Sequence, residues 1–115
     1  MQNNINERIN GYIEAAKGYG ECIHKGNSKL SNQYFDNIEK LFEDIKSSGS
    51  GGLDEIAKLL LHKDESVRLW ASSHLLNYPK YESFKILEKI KNSGTILGLT
   101  AEVTLDQWSK GNITY

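Results

Sequence analysis

Three histidines and one cysteine are the side chains best suited to metal binding or covalent catalysis: His24, His62, His74 and Cys22. No two of the histidines have the helical spacing that zinc enzymes use, and no second cysteine could complete a metal site. Cys22 and His24 resemble a nucleophile and its base, but residues two apart on a helix point in different directions. We therefore expect no metal, no catalytic residue, no cofactor and no enzyme activity, with His74 in the core.

A run of small residues at 47–52, Ser-Ser-Gly-Ser-Gly-Gly, precedes a predicted helix, as a phosphate-binding loop would. No strand pattern precedes the run and no Gly-Lys-Ser/Thr sequence ends it, so a phosphate site is disfavoured. Such small side chains cannot pack, and ordering several glycines costs backbone entropy. The run therefore predicts a flexible connector.

Acidic residues recur on the first two predicted helices, opposite the apolar side. They are Glu7, Glu14 and Glu21 on the first helix and Asp36, Glu39 and Glu43 on the second. One interpretation is a solvated face, with interleaved lysines diluting the charge. The other is a surface for a basic partner, where charge raises the association rate. The second interpretation makes Asp36, Glu39, Glu43 and Glu14 candidate partner-binding residues.

Two residues of a later helix, Arg68 and Trp70, are further candidates for partner binding. Trp70 lies at the edge of the apolar stripe of its helix, where it could line a groove. Most of the other aromatic residues fall on apolar stripes, which predicts that they pack in the core.

Composition limits the class of protein. Of the 115 residues, 38% are hydrophobic and 25% are charged, which predicts a single folded domain over 1–115. The net charge of -1 disfavours a nucleic-acid partner. A single cysteine and a start without a cationic and apolar leader indicate the reducing cytoplasm. No stretch approaches the roughly 18 apolar residues of a membrane span.

Apolar residues at three- and four-residue spacing predict an all-α protein with six helices and no strand. The predicted helices are 4–25, about 30–46, 53–62, 65–78, 81–91 and 96–110. The turn at 26–28 carries a capping side chain for the second helix, and Asp64 can cap the fourth. Pro79 cannot continue the fourth helix, and 92–95 supplies an end and a new cap. The resulting organisation is a helix pair at 4–46, a flexible connector at 47–52 and two repeats at 53–110.

An internal repeat supports this division, because the chain matches itself at an offset of 30 residues. The aligned pairs are Ile56 with Ile86, Leu60 with Ile90, Val67 with Leu97, Ala71 with Ala101, Leu75 with Leu105 and Tyr78 with Trp108. Helix pairs of this size cannot bury their apolar faces alone and so stack into a solenoid. The last helix has a second apolar stripe, Ile96, Leu99 and Val103. We expect the tail residues Ile113 and Tyr115 to cover it, with a second copy or a partner as alternatives.

Segment 59–76, LLLHKDESVRLWASSHLL, resembles a HEAT-like repeat. The matching positions are Asp64, Val67, Arg68, Ala71 and Leu75, whereas the second copy has Gly98 where Arg68 stands. In this pattern such an arginine bonds to an Asp near a helix start, here Asp64 or Asp54, which implies a structural role for Arg68. Together with the internal repeat, the resemblance implies a HEAT-like α-solenoid of about six helices in three antiparallel pairs.

Over nearly its whole length the chain is similar to a small bacterial family of HEAT-like proteins of unassigned function, through the opening helix and through 37–42, 67–71 and 105–111. Members of this kind are found among immunity proteins of contact-dependent and other polymorphic toxin systems. The resemblance implies a cytoplasmic protein that binds a toxin domain and occludes its active site or substrate channel. The alternative is a small helical adaptor or scaffold for a cellular protein. We expect no nucleic-acid or membrane partner, and a monomer or weak dimer when the protein is free.

Overall fold

The computed structural model describes residues 2–49 and 51–115, with side chains described from residue 5 onward. Within these ranges the chain forms six α-helices and two short 3-10 helices, and it contains no strand. The α-helices are α1 (Gln2–Lys25), α2 (Ser28–Ser47), α3 (Gly52–Ala57), α4 (Glu65–His74), α5 (Ser83–Lys91) and α6 (Ile96–Ser109). The predicted all-α class is confirmed.

Capping side chains begin α2 and α4 where the sequence predicts them. The Asn27 side chain accepts a hydrogen bond at 3.1 Å from the backbone N–H three residues on. Asp64 Oδ1 does the same at the start of α4, also at 3.1 Å. Each such cap contributes about 1 kcal/mol to helix stability. Thr95 begins α6 without a capping bond, and its hydroxyl lies 2.9 Å from Ser93 Oγ instead.

The middle helices are shorter than predicted. The predicted helix at 53–62 is α3 followed by a 3-10 helix, Lys58–Leu61, and the predicted helix at 65–78 ends at His74. A second 3-10 helix, Pro79–Tyr81, then delays the start of α5 to Ser83. Proline fits the first position of such a tight turn because that position needs no N–H donor.

The chain divides after Lys58 into two compact units, Met1–Lys58 and Leu59–Tyr115. In the first unit α1, α2 and α3 pack against one another, and in the second α4, α5 and α6 do so. The largest fully buried side chains include Tyr12, Ile38, Phe42, Ile45 and Ile56 in the first unit and Leu69, Leu75, Leu87 and Leu97 in the second. No helix in the described part of the chain is long and apolar enough to cross a membrane.

Small residues form the side of α1 that meets α2. Gly11 lies against Leu41, whose Cδ1 is 3.6 Å from the place a Cβ at Gly11 would take, and a Cβ at Gly18 would overlap the Tyr34 ring. The residues of this seam, spaced to share one arc of the helix, are Gly11, Ala15, Gly18 and Cys22. Sequence patterning missed the seam, because a hydrophobic periodicity gives no weight to glycine.

The segment between α2 and α3 is 48–51, which is shorter than the predicted connector at 47–52. Ser47 is the last residue of α2, and Gly52 is the first residue of α3. Gly52 is buried, and a Cβ at this position would overlap the carbonyl oxygen of Ile45. Gly52 is therefore a packed residue and not a linker residue, whereas Ser50 of the predicted connector lies outside the described residues.

Extra Gly-Ser residues inserted after Gly49 are expected to leave the first unit folded. Each doubling of a flexible loop costs only about 0.6 kcal/mol of closure entropy, so the free energy of unfolding should fall by about that amount. Denaturant melts of the inserted and wild-type chains measure the difference. The same insertion after Gly52 is the control, and it should cost far more because it displaces a packed turn. A loss above about 2 kcal/mol at the first position would show that the loop itself is packed.

Candidate protein-binding surfaces

The predicted acidic arc of α2 is largely accessible. Asp36 and Glu43 are exposed, Glu39 is half-buried, and Lys40 is exposed between them. The opposite side of the same helix is buried through Ile38, Phe42 and Ile45, so packing fixes which side α2 turns to solvent. Two of the three acidic candidates can thus meet a partner without any change in the fold.

On α1, the candidate Glu14 is also exposed. Its Oε2 lies 3.7 Å from Lys17 Nζ, and 74% of its side chain is accessible. An exposed pair of this kind contributes little free energy, at most about 1 kcal/mol. Glu14 can therefore exchange Lys17 for a cation of a partner at small cost. Glu7 and Glu21 of the same helix are exposed as well.

Arg68 holds the turn before α4 through backbone carbonyls. Its Nη1 donates to the oxygen of His62 at 2.7 Å and to that of Lys63 at 2.9 Å. These carbonyls take the place of the expected aspartate partner, and Asp64 Oδ1 accepts the backbone N–H of Val67 and caps α4. By bonding two carbonyls, the guanidinium holds the turn that leads into α4. Arg68 therefore has a structural role, as expected, but with backbone carbonyls as its partners.

Trp70 does not line a groove. Only 5% of its surface is exposed, and its ring centroid lies 5.5 Å from that of His74. A partner could reach this indole only after the surrounding side chains had moved.

Each of the three histidines makes a different contact. His24 Nδ1 donates to the Gly20 carbonyl at 2.7 Å, and His62 Nδ1 accepts from the backbone N–H of Asp64 at 3.0 Å. His74 is fully buried, as predicted, and Tyr115 stands edge-on to its ring at 4.6 Å. Among the residues that the structure describes, no group of three or more His, Cys, Asp or Glu side chains is arranged to hold a metal ion.

The predicted cover of the second α6 stripe by the tail is wrong. The exposed fractions are 42% for Ile96, 65% for Leu99 and 60% for Val103. The tail follows another course, because Asn77 Nδ2 donates to the Ile113 carbonyl at 2.8 Å and Tyr115 packs on His74. These contacts hold the tail at the end of α4 and leave the α6 stripe open.

The second unit does contain a groove, but apart from Arg68 its lining differs from the residues that the sequence suggested. An open cavity of about 320 Å³ is lined by the end of the first 3-10 helix, the turn before α4 and one side of α5, and Arg68 forms part of its wall. The run of three leucines at 59–61 could have indicated an exposed apolar side chain. Three consecutive residues cannot all face the same side of a helix, so at least one leucine must point away from the core. Leu59 and Leu60 are buried, and Leu61 lies at the groove with 85% of its surface exposed.

No protein-family model, no curated protein and no solved structure matches this chain significantly.

Proposed function

We propose that this chain is a cytoplasmic immunity protein that binds a bacterial toxin domain and occludes its active site or substrate channel. The proposal rests on the exposed acidic arc of α2, where Asp36 and Glu43 project from a helix anchored by its buried side. A fixed, charged helix face favours rapid association with a basic protein. The proposal involves no catalysis, cofactor, nucleic acid or membrane, and the free protein is a monomer or a weak dimer.

The proposal includes a HEAT-like solenoid of antiparallel helix pairs. Two close approaches support the antiparallel order of α1 and α2, because Gly11 lies against Leu41 and the later residue Gly18 lies against the earlier residue Tyr34. A short connection at residues 26 and 27 between two long helices favours the same order.

Burial supports the two repeats of the proposed solenoid. Three of the six aligned pairs are buried in both copies, and the other three are not: the buried pairs are Leu60 with Ile90, Val67 with Leu97, and Ala71 with Ala101. Equivalent burial is expected when each copy packs its neighbours in the same manner.

Occlusion requires slow dissociation as well as rapid encounter, since a toxin that escapes acts before it is recaptured. Charges at the rim of an interface act mainly on encounter, whereas desolvated aromatic and apolar anchors set the lifetime of the complex. Leu30 and Phe35 of α2 are 39% and 41% exposed. At about 100° per residue Phe35 lies next to the acidic arc around the helix, whereas Leu30 does not, so Phe35 is our candidate for an anchor beside the arc.

Reversal of Asp36 and Glu43 to Lys should slow association with a cognate basic toxin domain. Both side chains are exposed, so folding should be preserved, and the rate should fall by roughly ten-fold or more at low salt. At high salt the field is screened and the effect should shrink. Stopped-flow or surface-based kinetics at two ionic strengths measure both quantities.

Glu88→Lys with Glu102→Lys is the matched control, because it changes the net charge equally at exposed positions of the second unit. If the control slows association as much as the α2 variant, the effect belongs to net charge and the acidic arc is not the binding surface.

Function itself is tested by growth. Cells that express the toxin domain encoded beside this gene should survive when the chain is co-expressed and die without it. Survival should be lost when Phe35 is replaced by Asp in a chain that still folds. A chain that gives no protection, and whose neighbouring genes encode a housekeeping complex, would be the alternative helical adaptor.

A further inference from the structure

The groove of the second unit has an apolar lining that a partner can reach. Ile86 and Leu61 supply its accessible apolar surface, whereas Leu60 and Ile90 lie buried beneath it. Leu61 is 85% exposed and adjoins a cavity of about 320 Å³, so its apolar surface extends that of the groove. Two or three partner side chains fill such a volume.

The polar side chains of the groove are mostly hydrogen-bond donors. Arg68 uses only Nη1 in its bonds to carbonyls among the described residues, so Nε and Nη2 keep donors for another acceptor. His62 accepts a backbone N–H at Nδ1, which places the proton of the neutral ring on Nε2 and makes that atom a donor.

Positive charge exceeds negative charge around the groove. Lys63 and Lys89 line it and are exposed, in addition to Arg68. Glu65 is the one acidic residue of the lining, and its Oε2 accepts a hydrogen bond at 3.2 Å from Ser93. The groove therefore offers two ammonium groups, a guanidinium edge and an imidazole N–H beside an apolar surface.

We propose that this groove binds a segment of a partner protein in which Asp or Glu residues flank a leucine or a similar apolar side chain. The carboxylates lie near Lys63, Lys89 and Arg68, and the apolar side chain packs on Leu61 and Ile86. Charge complementarity selects an acidic partner, and the apolar lining selects a peptide over a polyphosphate chain, which has no group to cover Leu61. The site is separate in sequence and opposite in charge to the acidic arc of α2, so it goes beyond the toxin contact proposed above.

The test uses three fluorescein-labelled peptides and the full chain. The first alternates leucine with aspartate, the second has asparagine in place of aspartate, and the third has alanine in place of leucine. Fluorescence anisotropy should show saturable binding of the first peptide, and binding weaker by roughly ten-fold or more for the other two. No binding of the first peptide, or equal binding of the asparagine peptide, would overturn the proposal.

Variants locate the binding site. Lys63→Gln with Lys89→Gln should weaken binding of the first peptide by roughly ten-fold and reduce its salt dependence. Leu61→Ser should weaken binding while preserving the salt dependence.

Lys85→Gln with Lys110→Gln is the control, because both lysines are exposed in the same unit outside the groove, and it should have no effect. A control variant that loses as much affinity, or tighter binding of a labelled oligothymidylate than of the peptide, would refute the assignment. The test needs no toxin, so its outcome is independent of the proposed function.

Discussion

Ala71→Asp, and separately Ala101→Asp, should unfold the second unit. Both alanines are completely buried in helices of that unit. An aspartate there would be an unpaired charge without water, which costs about 3–5 kcal/mol, a large part of the stability of a small domain. Both tryptophans, Trp70 and Trp108, lie in this unit. Tryptophan fluorescence in a thermal or denaturant melt therefore reports on the relevant part of the chain.

Val103→Asp is the control for this experiment, because Val103 lies two positions from Ala101 on the same helix and is 60% exposed. We expect it to melt close to the wild type. Ser73, a polar residue two positions from Ala71, is unsuitable as a control. It is buried, and its Oγ donates to the Leu69 carbonyl at 2.7 Å. Coincident melts of Ala101→Asp and Val103→Asp would refute the assignment of the core.

Gly52→Ala should destabilise the first unit by about 3 kcal/mol, although it adds a single methyl group to the start of a helix. The new Cβ would overlap the Ile45 carbonyl, and a backbone group cannot turn aside as a flexible side chain can. Either the junction between α2 and α3 opens or α3 shifts. Far-UV circular dichroism in a denaturant melt measures the loss, since the tryptophans lie in the other unit.

Gly11→Ala is the matched substitution in the same unit. Its Cβ would meet Leu41 at an ordinary contact distance of 3.6 Å, and alanine favours a helix over glycine by up to about 1 kcal/mol. We expect this variant to be as stable as the wild type or more stable. Equal destabilisation by the two substitutions would mean that the contact with the Ile45 carbonyl is unimportant.

The bounds of most helices could be predicted from this sequence, whereas those of α3 and the end of α4 could not. The bounds predicted for α1, α2, α5 and α6 agree with the structure within two residues, since apolar periodicity and the residues that end helices act over short distances. The predicted helix at 53–62 becomes a six-residue helix and a 3-10 turn. In so short a segment tertiary packing outweighs helix propensity, so the local sequence does not show where the α-helix ends and the 3-10 helix begins.

The candidate site was only partly predictable for a related reason. Exposure of Asp36, Glu43 and Glu14 follows from helical periodicity, because an acid opposite an apolar stripe must face water. The groove depends on the meeting of Leu61, Lys63 and Lys89, of which the third comes from a later helix. No spacing rule joins these residues, and hydrophobic patterning placed Leu61 within a helix. Contacts between distant segments require the fold itself.

The anchoring of the tail has a consequence for synthesis of the protein on the ribosome. The first unit ends at Lys58 and completes its contacts early, so it can fold while later residues are still being added. The hydrogen bonds of Asn77 to Trp108 and Ile113 cannot form until these residues, 31 and 36 positions later, have been synthesised. The ring contact of His74 likewise requires Tyr115. In the nascent chain the first unit can therefore be folded while the second unit is still incomplete. During that interval the α4 surface is open to chaperones and proteases.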